Sequence, residues 1–141
     1  MCLTVKKGCK PKIAKKDITC WKAVTEGVGC WYPVWYNQYS YPYNETCNAM
    51  KCRQKVLTNL YVIDQWNEID EGLHAFRNLY GILYALISES YIPVDDMFDF
   101  KICIIPEGAE YCKGTHGQIV TTQMIVFSSF KEYLKYKSKK K

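Results

Sequence analysis

The 141 residues have the length of one ordinary domain, and the 48% hydrophobic and 23% charged fractions are typical of a globular protein. No apolar run approaches the ~20 residues that a membrane-spanning helix needs. The N-terminus becomes basic before any apolar signal segment, so we expect a protein of the cytoplasm. The aromatic fraction of 15% is high, and such rings usually fill cores, line pockets or lie at interfaces.

The net charge of +5 is distributed unevenly along the chain. Residues 1–16 carry six Lys and no acid, and residues 131–141 carry six Lys and one Glu. Subtracting these 12 cations and one acid from the totals of 19 and 14 leaves seven basic and 13 acidic groups, a net charge of −6, in residues 17–130. We therefore predict a basic arm (1–16), one acidic globular domain (17–130) and a Lys-rich tail (131–141).

The charge distribution along the chain indicates which partners to expect. A nucleic-acid-binding domain normally carries a basic face, so we do not expect residues 17–130 to bind nucleic acid. The Lys-rich tail either aids solubility or attaches weakly to RNA, DNA or an acidic partner. No membrane partner is expected.

The first half of the chain predicts strands around an aromatic segment. Side-chain polarity alternates along residues 18–24, which are rich in β-formers, and this pattern predicts the first strand. Residues 26–29 carry a turn signal. In residues 30–44, seven of the 15 side chains are Tyr or Trp, and two Pro exclude a regular helix or a central strand. A strand or strand pair is predicted within residues 51–63, and an acidic loop at residues 64–71.

One helix is predicted near the middle of the chain. Apolar residues recur with the period of an amphipathic helix at about 77–89, and Asn78 is in position to cap its start. The face expected to pack on the core contains Phe76, Leu79, Tyr80, Leu83, Leu86 and Ile87.

The second half of the chain predicts mainly strands. Residues 100–105 and 118–127 have strand patterns, residues 107–117 form a loop, and residues 130–136 a short helix. This order of elements predicts an α+β fold, an antiparallel or mixed β-sheet packed by the helix at 77–89.

Eight Cys would indicate a disulfide framework in a secreted chain, but reducing cytosol keeps thiols free. Because Cys20 and Cys103 fall in predicted strands, we interpret most of the thiols as buried core residues. Disulfides and a metal site are the alternatives. Cys47 and Cys52, with Cys112 and His116, have only loose zinc-like spacing, so no metal and no cofactor is predicted.

The aromatic segment is the strongest functional candidate, because Tyr and Trp rings suit stacking on a base or sugar. The few Arg, the two His and the Lys113–Gly117 loop are candidates for phosphate contacts. The predicted ligand-binding residues are Trp31, Tyr36, Tyr39, Tyr41, Tyr43, Arg53, His74, Phe76, Arg77, Lys113, Thr115 and His116. The alternatives are that the rings fill the sheet face or a homo-oligomer interface, that His74 is structural, and that the loop is an ordinary turn.

Three segments carry a resemblance to known sequences: residues 11–22, residues 71–76 (Glu-Gly-Leu-His-Ala-Phe) and residues 103–111 (Cys-Ile-Ile-Pro-Glu-Gly-Ala-Glu-Tyr). Over about residues 9–127 the chain resembles a group of small uncharacterised proteins of bacteriophages and their gut-bacterial hosts. The resemblance implies a bacterial host cytoplasm and transfers no catalytic residue. By analogy of size and setting, it points to phage anti-defence sponges, which sequester nucleotide-derived immune signals.

Three functions follow as hypotheses. The first is a non-enzymatic binding protein that sequesters a small phosphate-bearing ligand such as a nucleotide signal. The second is a small enzyme acting on a nucleotide or NAD-type substrate, with His74 as acid or base. The third is an interaction protein that blocks a host factor through the aromatic segment. The abundance of thiols and the lack of a catalytic motif favour binding over catalysis.

Overall fold

The computed structural model describes residues 3–6, 11–33, 40–48, 61–63, 66–69, 73–88, 98–114 and 117–140. Within these ranges the fold is mainly antiparallel β-sheet with two helices, α1 (Leu79–Ser88) and α2 (Phe130–Lys139). The strands are β1 (Leu3–Lys6), β2 (Lys12–Ile13), β3 (Ile18–Glu26), β4 (Cys30–Pro33), β5 (Tyr41–Pro42), β6 (Thr46–Asn48), β7 (Tyr61–Ile63), β8 (Trp66–Ile69), β9 (Leu73–Phe76), β10 (Phe98–Ile105), β11 (Glu110–Lys113), β12 (Gln118–Thr121) and β13 (Gln123–Val126). The expected sheet-rich fold is confirmed.

The main sheet is built around the pair β3 and β10. Its strand order is β2-β11-β12-β9-β3-β10-β13-β6, and β4 pairs with both β3 and β5. The register of β3 with β10 runs from Thr25 opposite Phe98 to Ile18 opposite Ile105. On its other edge β3 meets β9 only at Trp21 and meets β4 at residues 24–26. A smaller sheet has the order β1-β8-β7.

Side chains alternate between the two faces of this sheet, as strand geometry requires. On one face lies the inner core, whose buried members include Cys20, Val24, Trp31, Tyr41, Cys47, Ala75, Cys103, Ile105, Ile119 and Met124. On the other lies the outer cluster, in which Trp21, Tyr133 and Tyr136 pack against Ile102, Ile104, Ile125 and Phe127. Cysteines are compact apolar fillers of the inner core.

The thiols of Cys20, Cys47, Cys103 and Cys112 are buried, and that of Cys30 is half-buried. The prediction of buried thiols is confirmed for the four buried residues and not for Cys30. Cys20 and Cys103 lie directly opposite each other in the β3–β10 register, with their sulfur atoms 3.1 Å apart. Each thiol is therefore packed against the other inside the protein.

Helix α1 has the predicted position and cap, because the Gly81 amide donates to Asn78 Oδ1 at 2.9 Å. The predicted packing face is confirmed at Phe76 but not in the first turn of the helix, and the side chains of Leu86 and Ile87 lie outside the described ones. Ile82 is fully buried, whereas the exposed side chains are Leu79, Tyr80 and Leu83. Apolar residues surround this helix on all sides in the sequence, so their period alone does not select the face that packs.

Helix α2 lies in the segment predicted as a short helix followed by a Lys-rich tail. Ser129 caps it, since its Oγ accepts from the Glu132 amide at 3.3 Å. The rings of Tyr133 and Tyr136 lie 5.7 and 5.5 Å from that of Phe127. The Lys-rich segment is thus helical up to Lys139 and is packed on the outer cluster.

Neither helix, within the residues placed by the structure, has the length and apolar character needed to cross a membrane.

Candidate ligand-binding site

The described part of the aromatic segment belongs to the inner core. Trp31 lies opposite Tyr41 in the β4–β5 pair, and the two rings stack with centroids 4.7 Å apart. Trp31 is 0% exposed, and its Nε1 donates to the carbonyl oxygen of Pro42 at 3.3 Å. The rings of Trp31 and Tyr41 therefore pack against protein and present no open face to a ligand.

Tyr43 is held by an ion-pair cluster at the edge of the same core. Its hydroxyl donates to Glu26 Oε1 at 3.2 Å, and Lys101 Nζ lies 2.7 Å from the same carboxylate oxygen. Lys101 also lies over the Tyr43 ring, 5.7 Å from its centroid. Burial, reinforced by the Glu26 carboxylate, raises the pKa of Tyr43 far above its ordinary value, so the phenol stays protonated.

A buried lysine joins this core to β9. Lys22 Nζ donates to the carbonyl oxygen of His74 and lies 5.6 Å from the centroid of the Trp31 ring. Burial lowers the pKa of Lys22 to about 8, although the nearby thiols of Cys103 and Cys20 act in the opposite direction. Lys22 thus spans the gap between β9 and β4, where the edge of β3 opposite β10 has no ladder partner.

His74 is part of the sheet, opposite Val120 of β12. Its side chain is half-buried, and its carbonyl oxygen is occupied by Lys22. Phe76, two residues along β9, is 2% exposed. These positions make His74 and Phe76 components of the ladder that leads to the start of α1.

Two predicted site residues, Arg77 and Lys113, lie at the end of the sheet where β9 leads into α1. The Arg77 amide donates to the Gly117 carbonyl oxygen at 2.8 Å, and the Gly114 amide donates to that of Gln118 at 2.9 Å. Gly117 has a φ of 74°, a left-handed conformation that glycine adopts without strain. Since Lys113 ends β11 opposite Ile119 of β12, it lies at this same end of the sheet.

We call this end of the sheet the sheet corner, formed by Arg77, Asn78, Tyr80, Lys113 and Gly117. The side chains of Arg77 and Lys113 are exposed, and Tyr80 is 77% exposed. Helix α1 has no acidic residue in its first turn, so no carboxylate of its own offsets the positive end of its dipole. Two cations, a helix N-terminus and an exposed ring suit an anion that carries a flat group.

The structure therefore separates residues that the sequence analysis grouped. Arg77 and Lys113 lie at the sheet corner, with His74 and Phe76 on the strand that leads to it. Trp31, Tyr41 and Tyr43 belong to the core, and Tyr36, Tyr39, Arg53, Thr115 and His116 lie outside the described residues. Tyr80 was missed because the helical period assigned it to a buried face. Its position three residues after Arg77, in the first turn, was the available signal.

A second surface feature, which the sequence analysis did not find, is a groove beside the start of α2. It has a volume of about 170 Å³ and lies over the outer face of β3 and β10. Aromatic side chains dominate its lining, which consists of Trp21, Phe100, Lys101, Ile102, Phe127, Ser129 and Phe130.

Comparison with protein-family models, curated proteins and solved structures gave no match. The geometry of the chain itself is therefore the basis for assigning a function.

Proposed function

We propose that the protein is a non-enzymatic binding protein for a small phosphate-bearing ligand of the nucleotide type, held at the sheet corner. The observation that carries this proposal is that exposed Arg77 and Lys113 lie at the same end of the sheet as the N-terminus of α1. In the phage setting that the sequence resemblance implies, the ligand would be a nucleotide-derived immune signal, and binding would sequester it.

The sheet corner offers a distinct contact for each part of such a ligand. The Arg77 guanidinium provides planar, bidentate donors for a phosphate, and Lys113 adds a second charge. The Gly81 amide is capped by Asn78, but the amides of Leu79 and Tyr80 have no acceptor within the helix and can donate to an anion. The exposed Tyr80 ring gives a face on which a base can stack, in the role that the sequence analysis assigned to the residue 31–43 segment.

Binding rather than turnover is favoured by the state of the reactive side chains. His74 lies within the ladder, and the thiols that surround Lys22 are enclosed. Burial raises the pKa of Cys47 to about 11 and also raises the pKa of Cys103 well above its ordinary value. Because the thiolate is the nucleophile, such thiols are poor catalysts at neutral pH.

Calorimetry and native mass spectrometry against a panel of linear and cyclic nucleotides test this proposal. We expect at least one ligand to bind more tightly than ~100 μM. Replacing both cations, as Arg77→Ala with Lys113→Ala, should weaken it at least about tenfold, because hydrogen bonds to charged groups contribute about 1.5–3 kcal/mol. Tyr80→Ala should weaken it further, and Lys12→Ala, at an exposed lysine of β2 outside the sheet corner, is the matched control.

Two results would overturn the proposal. One is the absence of binding across the panel, and the other is wild-type affinity in the double variant. Chromatography of the same mixtures distinguishes the enzyme hypothesis: product that disappears in His74→Ala would replace binding by catalysis as the function.

A further inference from the structure

The C-terminal end of α2 contacts Asp17, the residue that directly follows Lys15 and Lys16. Asp17 Oδ2 accepts from the Tyr136 hydroxyl at 3.1 Å and forms an ion pair with Lys140 Nζ at 3.4 Å. Asp17 Oδ1 accepts from the Glu107 amide at 2.8 Å, which fixes the carboxylate in place. The exposed Lys15 and Lys16 therefore lie beside the C-terminal end of α2.

Helix α2 adds a second row of cations to this region. Lys131, Lys135 and Lys139 recur every four residues along its exposed side, and Lys137 is also exposed. Two nearby acids are paired, Glu132 with Lys135 at 3.2 Å and Asp17 with Lys140, whereas the exposed Glu107 beside Asp17 forms no ion pair with a described lysine and offsets one of the lysine charges. Within the described ranges, Lys15, Lys16, Lys131, Lys137 and Lys139 have no carboxylate within 4.0 Å, so this surface carries excess positive charge.

The aromatic groove lies at the opposite, N-terminal end of the same helix. Phe127 and Ile102 are buried in its floor, and Phe130, which is 59% exposed, lines it from α2. An apolar cavity of about 150 Å³ holds one benzene ring, so a groove of about 170 Å³ has room for one flat ring. Helix α2 has 10 residues, so the groove at its N-terminal end and the Asp17 contact at its C-terminal end lie about 15 Å apart.

From these observations we infer that this face, which we call the α2 surface, binds single-stranded nucleic acid. A base stacks in the groove against Phe130 and Trp21, and the lysines of α2 and of residues 15–16 follow the phosphates. Basic tracks combined with aromatic platforms are the recognition chemistry of single strands. An acidic protein segment would match the charge, but a slot lined mainly by aromatic rings and sized for one ring favours a base.

This inference is independent of the proposed function, because the sheet corner and the α2 surface share no residue. It also extends the sequence-based expectation for the Lys-rich tail. The lysines are fixed on a packed helix, so the folded domain presents a basic face beside an aromatic slot.

Fluorescence anisotropy with a short labelled oligothymidylate tests the inference. Binding should weaken as salt increases, and replacing Lys131, Lys137 and Lys139 by Gln should reduce the log–log salt slope by about 2, since each phosphate contact contributes about 0.7 for single strands. Phe130→Ala should weaken binding about tenfold, the usual size of one stacking contact. The variant Lys12→Gln, at an exposed lysine of β2 that belongs to neither site, should bind the oligonucleotide as the wild type does.

Circular dichroism and thermal unfolding establish that the variants keep α2 folded. Three outcomes would overturn the inference: no binding at low salt, unchanged affinity in Phe130→Ala, or equal affinity for polyphosphate, which has charge but no bases. A polyglutamate peptide with one aromatic residue that binds more tightly than oligothymidylate would assign the surface to an acidic protein partner instead.

Discussion

Two aromatic clusters lie on opposite faces of β3, and they differ in how completely they are covered. On the inner face, Trp31 stacks on Tyr41 and is fully enclosed. On the outer face, Trp21 and Phe130 border a groove that is open to solvent. The same residue types thus form packed core on one face and a potential binding surface on the other.

The difference follows from the elements that cover each face. The inner rings are brought together by strand pairing, because the β4–β5 register places Trp31 and Tyr41 side by side. The outer face is covered by α2, whose Tyr133 and Tyr136 reach the sheet while Phe130 remains at the rim. Aromatic content therefore does not identify a binding site until the covering element is known.

The largest expected effect tests this contrast directly. Trp31→Ala should lower the free energy of unfolding by about 3–5 kcal/mol, since it removes a fully buried indole and leaves a cavity. Phe130→Ala should change it by no more than about 0.5 kcal/mol, because most of that ring is exposed. Urea denaturation measures both. Trp31→Phe provides a milder change if the alanine variant does not fold, and equal losses at the two sites would contradict the contrast.

A smaller effect should appear in the pH dependence of stability. Between pH 8 and 10.5 an unfolded Lys22 holds a proton that the folded, buried Lys22 has released, so its contribution to stability rises with pH in this window. The wild-type free energy of unfolding, relative to that of Lys22→Met, should rise by up to about 1.4 kcal/mol per pH unit.

The variant Lys22→Met is the reference because the buried thiols change the free energy of unfolding with pH in the opposite direction. Cys47 and Cys103 have raised pKa values, so their unfolded forms ionise first and their contribution to stability falls above about pH 9. Subtracting the two denaturation series removes this shared contribution. A difference that does not change with pH would show that Lys22 titrates normally in the folded protein.

The smallest expected effect concerns the contact that holds α2 to Asp17. Tyr136→Phe should cost about 1 kcal/mol, because it removes a hydrogen bond to a carboxylate. Tyr133→Phe is the matched control, since the Tyr133 hydroxyl pairs with the neutral Thr19 hydroxyl at 3.3 Å in an exposed position. Urea denaturation at neutral pH should give a smaller loss for Tyr133→Phe, and the reverse order would contradict this account.

The same Asp17 contact should depend on pH at the acidic end. Burial favours the neutral carboxyl, but the Glu107 amide, the Tyr136 hydroxyl and Lys140 together lower the pKa of Asp17. The stability that Asp17 contributes is therefore present above its ordinary pKa of 3.8 and is lost as the pH falls through the lowered value. The cost of Tyr136→Phe should become smaller over that range.

The sequence predicted local elements well where one strong pattern was present. Alternation predicted the strand from residue 18, the glycines at 27 and 29 predicted the turn after β3, and Asn78 predicted the cap of α1. Each of these features depends on neighbouring residues alone, through backbone geometry or a single hydrogen bond.

Features that depend on tertiary contacts were not predicted. Lys22 lies on the same face of β3 as Cys20 and Val24, so strand alternation places its side chain in the core. The acceptor that makes this burial tolerable, the His74 carbonyl oxygen, belongs to another strand. The sequence pattern predicted that Tyr80 would be buried, and the structure shows it exposed. Contacts with the sheet decide which apolar face of α1 packs, and these contacts cannot be read from the helical period. The meeting of Lys15 and Lys16 with α2 likewise depends on contacts between distant segments.

The pairing of Cys20 with Cys103 also has a consequence for the rate of folding. These two residues are 83 positions apart, and they form the third pair from the Ile18–Ile105 end of the longest ladder in the described sheet. A strand pair so distant in sequence requires a large loop to close before its contacts form, and such topologies fold slowly, in milliseconds to seconds. Until α2 docks, Ile102, Ile104 and Phe127 remain uncovered, so this interval is when the chain is most exposed to aggregation.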